Sequence, residues 1–497
     1  MTPRDIYLLS PELALVGIAL AIVLFDLFTS NKKIIAVVSV IALSIPFILS
    51  ILLWMDIDSS TQNAFLGMFG TFTVDKFSLF FKFIVLSVVG LVVIASINYV
   101  KQLERYQGEY YALIMFSAAG MMLLAATREL ITIYISLELT ALPIAALIAL
   151  TMTSRSSEAA IKFLILSAIS SATLLFGMTL VFGITGTTYL TGMAESINLL
   201  GATGEPFKSY GLLMGIILIV AGLGFKVSSV PFHMWAPDVY EGGPTPVIAY
   251  LSVASKAAGF AILLRIFYTA FPVLNLEWGI LFGLLSVASM TVGNVLAIVQ
   301  SNIKRLLGYS TIAHAGYLLM GLAAVQNGAI ATTSENTFGP SSILFYLAAY
   351  ATTNLAAFFS IIVITNKIGS DQITDFGGMG RRSPLLALVL TLAMISLIGM
   401  PPTGIFIAKV FIFSAAVKSG LMWLAIIAGI NSVLSAYYYL RIVKVMYLSE
   451  PPSDESVPCS NSAKLALSIT TVGILLTGIM PTPILRLSEI AIETIIS

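Results

Sequence analysis

Apolar stretches long enough to cross a hydrocarbon core of about 30 Å as helices recur along the whole chain. They fall at 7–28, 34–55, 78–99, 110–127, 129–150, 159–183, 211–236, 244–269, 276–299, 303–325, 341–366, 384–417, 421–446 and 463–485. The expected fold is an all-α polytopic membrane protein of about 14 transmembrane helices. The stretch at 384–417 is too long for one straight helix. It holds Gly399, Pro401, Pro402 and Gly404, so a break is expected in its middle. The first run contains Pro11 and Glu12 and lacks a small-x-small cleavage site, and reads as a retained span rather than a signal peptide.

The polar connections carry an orientation signal. Alternate loops hold Lys32 and Lys33, Lys101 and Arg105, Arg155, Lys304 and Arg305, Lys367, Arg381 and Arg382, then Arg441, Lys444 and Lys464. The opposite set holds only Arg4, Lys76, Arg128, Lys208, Lys418 and Arg486. The positive-inside rule puts the first set in the cytoplasm and both termini outside, in a bacterial inner membrane.

Composition agrees with the hydropathy pattern and narrows the chemistry. Over 497 residues, 58% are apolar and 10% charged, and the mean hydropathy is +1.00. The net charge of +1 gives no case for a nucleic-acid partner. Cys459 is the single cysteine, so no intrachain disulfide, cysteine-ligated iron–sulfur cluster or Cys-x-x-Cys pair is available. His233 and His314 lie on separate segments without metal-ligand spacing. No dinucleotide or Walker loop is present, so electron chemistry is expected in partners.

Charges within the spans need a reason, because each costs about 2.5–3.5 kcal/mol at the bilayer centre even on the lenient scale. Lys82 and Arg265 are expected to snorkel to an interface. Glu138 reads as the one carboxylate well inside a span. Counting about 1.5 Å per residue puts Glu138, Lys226, Lys256, His314 and Lys409 at one depth on different helices. That is the arrangement of a proton relay along the membrane plane. The competing reading for Glu138, Lys226, Lys256 and Lys409 is static ion pairing. One carboxylate cannot neutralise three lysines, which favours lysines that exchange protons. Depth alone leaves Lys162 open between snorkelling and the relay. It leaves His314 open between a hydrogen-bonded core residue and a carrier. His233, two turns from Lys226 along a helix, serves water access or the relay.

Lys226 lies in GLGFKVSSVPFHMW, interrupted by Pro231, and Lys409 in GMPPTGIFIAKVF, five spans later. An odd offset makes the two crossings opposite, as in the inverted repeats of secondary transporters. The expected organisation is a three-helix segment at 1–109, a first repeat at 110–270, a second at 271–450, and a loop with the last span at 451–497.

The run FKVSSVPFHMWAPDVYEGGPTPVIAYLSVASKAAGFAILLR, Phe225 to Arg265, resembles the signature of the antiporter-like subunits of respiratory complex I. YLSVASKAAGF is similar to the N-type paralogue, and SSEAAIKFLILSAISSATLLFG, SNIKRLLGYSTIAHAGYLL and SAYYYLRIVKVMY match further segments. The resemblance spans the whole chain. It implies proton pumping coupled to quinone reduction, with key positions at Glu138, Lys226, Lys256 and Lys409. It adds Lys162, matching a buried family lysine, and His314, at a commonly polar position. M-type paralogues carry Glu where Lys409 stands, and L-type ones extend into a long lateral helix, whereas this chain stops at Ser497. Ala408 departs from the family's usual Gly.

The resemblance implies that NADH, FMN, iron–sulfur clusters and quinone are handled by partner subunits, with no cofactor or metal in this chain. Those partners are the other membrane and peripheral subunits, including the paralogous antiporter-like ones, within the lipid bilayer. The alternative function is a subunit of a multisubunit cation/proton antiporter, and a third reading is a passive membrane scaffold. A ferredoxin-type electron donor in place of NADH stays open.

Overall fold

The computed structural model describes residues 2–29, 32–60, 64–103, 106–202, 210–325, 337–451, 453 and 455–496. Arg105 and Lys208, expected in loops, lie outside them. In hydrocarbon each backbone N–H and C=O must be satisfied within its own segment, which for these apolar runs means α-helix.

Among the described residues, thirteen helices are long and apolar enough to span: α1 (Ser10–Phe28), α2 (Ile34–Ser59), α3 (Lys76–Ser96), α4 (Gln107–Ala126), α5 (Leu130–Ala149), α6 (Ser154–Thr185), α7 (Tyr210–Val227), α8 (Thr245–Thr269), α9 (Trp278–Ile298), α10 (Ile303–Ala323), α11 (Thr337–Ile368), α14 (Met422–Leu448) and α15 (Asn461–Ile479). The expected long span is two half-helices, α12 (Pro384–Ile398) and α13 (Gly404–Lys418). Gly399 ends α12 at φ +88°, a left-handed conformation open to glycine, and Pro401–Pro402 follows in cis. The expected set of spans and the one broken span are therefore present.

The other interruption is larger than the sequence suggested. Helix α7 stops at Val227, Ser228 takes φ +60°, and Val230–Pro231 is cis. A short helix, Trp235–Gly242, then runs on. Because the chain leaves the helix at Ser228, His233 is not two turns along the face that carries Lys226, which corrects that expectation. Within α8 a single π-helical turn, Leu251–Ser255, directly precedes Lys256.

Burial grades from centre to rim. Helix α8 is wholly buried and α10 and α11 nearly so, whereas α1, α2, α6, α14 and α15 bury a third or less of their most apolar stretch. The central helices are those carrying Lys256 and His314.

Two elements had no counterpart in the sequence reading. A hairpin pairs β1 (Ala64–Gly67) with β2 (Phe72–Asp75), Ala64 opposite Asp75 and Gly67 opposite Phe72. After α15 an amphipathic helix, α16 (Thr482–Ile496), packs on α3 and α11.

Candidate functional site

Lys226 is the penultimate residue of α7, held at the point where the helix breaks. Its side chain is 8% exposed and makes no hydrogen bond or ion pair among the described residues. Its stem lies against α8 at Gly259, where an added Cβ would come within 3.4 Å of Lys226 Cγ and 2.7 Å of Val227 Cγ1. Gly259 stands one turn from Lys256 on α8.

Glu138, midway along α5, is half-buried and accepts a hydrogen bond from the Ser171 hydroxyl of α6 at 2.5 Å. Among the described residues its carboxylate forms no ion pair with Lys226.

Lys256 is buried and donates to the Thr311 carbonyl of α10, with its Nζ 5.7 Å from the Tyr350 ring centre. The Thr311 hydroxyl meets Tyr350 Oη at 2.9 Å. One turn on, His314 has both ring nitrogens on tyrosine hydroxyls: Nδ1 is 2.7 Å from Tyr346 Oη and Nε2 is 3.3 Å from Tyr439 Oη. Tyr439 also bonds Ser310.

The Tyr317 ring lies 5.9 Å from the His314 ring and 4.6 Å from Lys409 Nζ. Lys409, buried on α13, donates to the Ile398 carbonyl at 2.7 Å and the Ser432 hydroxyl at 2.8 Å. Contacts of hydroxyl and aromatic character thus run from Lys256 through Thr311, Tyr350, His314 and Tyr317 to Lys409. Neutral polar partners stabilise an ammonium without pinning it to a fixed counter-charge.

Four further sequence-read residues lie away from this row. Lys162 pairs with Glu158 at 2.8 Å and Asp238 at 2.9 Å and is partly exposed, in a charged cleft at the start of α6. His233 lies in the turn after α7. Lys82 and Arg265 do not snorkel. Lys82 is buried against Glu12 of α1 at 2.8 Å. Arg265 makes a two-pronged pair with Asp75, at 2.6 and 3.0 Å, and donates to the Ala125 carbonyl. Neutralisation by a distant carboxylate is cheaper here than reaching for water. Glu12, on the first span, is therefore a buried carboxylate in addition to the half-buried Glu138.

The sequence reading missed Tyr317, Tyr346, Tyr350, Tyr439 and Ser432. A usable signal existed: tyrosine hydroxyls within apolar spans need partners, and Tyr317 stands three residues from His314. Among the described residues no cluster of His, Cys, Asp and Glu could hold a metal ion.

The model of the family described as NADH:quinone oxidoreductase/Mrp antiporter, TM, matches residues 127–435. The chain belongs to this family. NADH-quinone oxidoreductase subunit N of Dehalococcoides mccartyi is 45% identical over 493 residues, covering 98% of this chain and 99% of that one. A chain of respiratory complex I from Thermus thermophilus with bound aureothin is 30% identical at a TM-score of 0.78, over 96% of this chain and 98% of that one. A chain of the Mrp complex from a Dietzia species reaches a TM-score of 0.85 over 100% and 98% at 19% identity, a likeness of fold alone. The stretch matching the antiporter family contains the whole lysine row, from Glu138 to Lys409.

Proposed function

We propose that this chain is the N-type proton-translocating subunit of an NADH:quinone oxidoreductase. It moves protons across the membrane while partner subunits pass electrons from NADH to quinone. The observation that carries the reading is the contact row joining Lys256, His314 and Lys409 on buried helices. Full-length identity with subunit N relatives supports the N-type assignment.

In this reading Glu138 modulates Lys226, and Lys226 and Lys256 exchange charge across the α7–α8 contact. His314 and its tyrosines connect Lys256 to Lys409. Lys162 and His233 serve access rather than the row itself. Breaks beside Lys226 and Lys409 support assigning 110–270 and 271–450 as inverted repeats, each with one half-channel. FMN, iron–sulfur clusters and both redox substrates belong to partner subunits. The basic-loop asymmetry supports a bacterial inner membrane with both termini outside.

Lys256→Met tests the reading, since it keeps length and apolar volume while removing the ammonium. The assembled variant complex in vesicles is expected to lose most acidification and to slow quinone reduction. Wild-type acidification would remove Lys256 from the pathway. The second reading, a cation/proton antiporter subunit, draws on the shared fold with the Mrp complex. Co-purification with flavin and iron–sulfur subunits decides against it.

A further inference from the structure

Two cavities are lined by the same two elements. One wall is α6 from Arg155 to Thr173, and the other is the Pro231–Gly242 stretch that follows the α7 break. At the α6 end lies a cavity of about 200 Å³ lined by Arg155, Glu158, Lys162, Asp238, Glu241 and Arg305. One helical turn beyond Lys162 the lining becomes apolar, in a second cavity of about 230 Å³ walled by Leu166, Ile169, Phe225, Phe232 and Met234. Its two hydroxyls are satisfied by backbone carbonyls, Ser170 by Gly222 and Thr173 by Ile169. Met234 is 73% exposed on this lip. From Arg155 to Ile169 α6 rises about 21 Å, the reach from a membrane surface into its acyl layer.

From this geometry we infer that the pair of cavities is a binding site for an amine-bearing zwitterionic phospholipid such as phosphatidylethanolamine. Its head group sits in the charged cavity and one acyl chain in the apolar one. Charge sets the choice. Asp238 is held by Lys162 and Arg305, Glu158 by Lys162, and Glu241 by Arg305. Arg155 is exposed and has no ion pair among the described residues. One free guanidinium takes the phosphate, and the outer oxygens of Glu158 and Glu241 accept from the ammonium. The three cations and three carboxylates of the cavity balance, which suits a net-neutral head group over a net-anionic one, and a quaternary ammonium has no proton to donate. A partner helix about 10 Å across does not enter a cavity of this size, whereas an acyl chain does. The chain lies against Phe225, the neighbour of Lys226, and so braces the α7 break from outside.

The test uses the assembled complex in nanodiscs with a photoreactive benzophenone amino acid in place of Met234. Nanodiscs hold phosphatidylethanolamine, phosphatidylcholine and phosphatidylglycerol of matched chains at equal mole fractions, and adducts are identified by mass spectrometry. Phosphatidylethanolamine adducts are expected to dominate. Arg155→Glu should lower them about fivefold, Arg155→Gln by less, and Arg486→Glu not at all. Equal labelling of the three lipids, dominance of phosphatidylglycerol, a crosslink to another subunit, or no adduct would each overturn the site. If Arg155→Glu does not assemble, Arg155→Gln carries the comparison.

Discussion

Lys409 donates to the Ile398 carbonyl at 2.7 Å, so the ammonium of α13 closes onto the last turn of α12. The two halves of the broken span are joined by a residue of the proposed relay. The C-terminal carbonyls of a helix carry partial negative charge, which suits a cation.

Lys409→Ala is therefore expected to assemble with a stability loss of about 1–3 kcal/mol, from the unsatisfied carbonyl, and to abolish most vesicle acidification. Lys409→Glu should be worse than alanine in both respects, because a carboxylate would face the Ile398 and Leu397 carbonyls. Thermal unfolding and acidification of both variants check it; a functional Lys409→Glu would show that the α12–α13 closure is dispensable.

Glu138 is bonded to Ser171 rather than to Lys226, so the relay reading and static pairing make separate predictions. Lys226→Arg should assemble yet pump poorly, because guanidinium does not release a proton at working pH. Glu138→Gln should depress pumping and quinone reduction together, and Glu138→Asp should keep part of both. Gly259→Ala offers an independent probe, since its methyl would press on Val227 and the Lys226 stem. Its expected effect is a drop in pumping beyond any drop in assembled complex. Wild-type pumping by Lys226→Arg would end the relay role of Lys226.

Arg265 and Asp75 form a buried two-pronged pair joining α8 to the hairpin and the start of α3. Arg265→Met alone leaves the Asp75 carboxylate buried and unpaired, for an expected loss of about 3–5 kcal/mol. Replacing both by apolar residues should recover much of it. Complex yield and melting temperature measure this, and an additive double variant would show that the pair is not coupled.

Cys459 is half-buried, with its Sγ 3.8 Å from the Ser460 carbonyl oxygen, and burial pushes its thiol above the ordinary range. Only the thiolate reacts with maleimide, so labelling should be slow near pH 7 and should accelerate steeply toward about pH 9. On the proposed orientation an impermeant maleimide labels it only in inverted vesicles. Cys459→Ser should leave quinone reduction and pumping unchanged. Fast labelling at neutral pH would contradict the burial.

The spans, the α12–α13 break and the lysine row were legible in the sequence because each obeys a local rule. An apolar run of the right length must be helical in lipid, Gly and Pro interrupt it, and a charge at depth stands out against it. Lys226, Lys256, His314 and Lys409 could be read from such counting alone. Counting along one helix does not reveal what faces it from another. Tertiary structure decided that Lys82 and Arg265 pair with Glu12 and Asp75, residues 70 and 190 positions away in sequence. It decided that the chain turns at Ser228, which takes His233 off the Lys226 face. It also decided that tyrosines from α10, α11 and α14 converge on His314. Desolvation forces a buried charge or hydroxyl to find a partner, but which partner is set by how the helices pack.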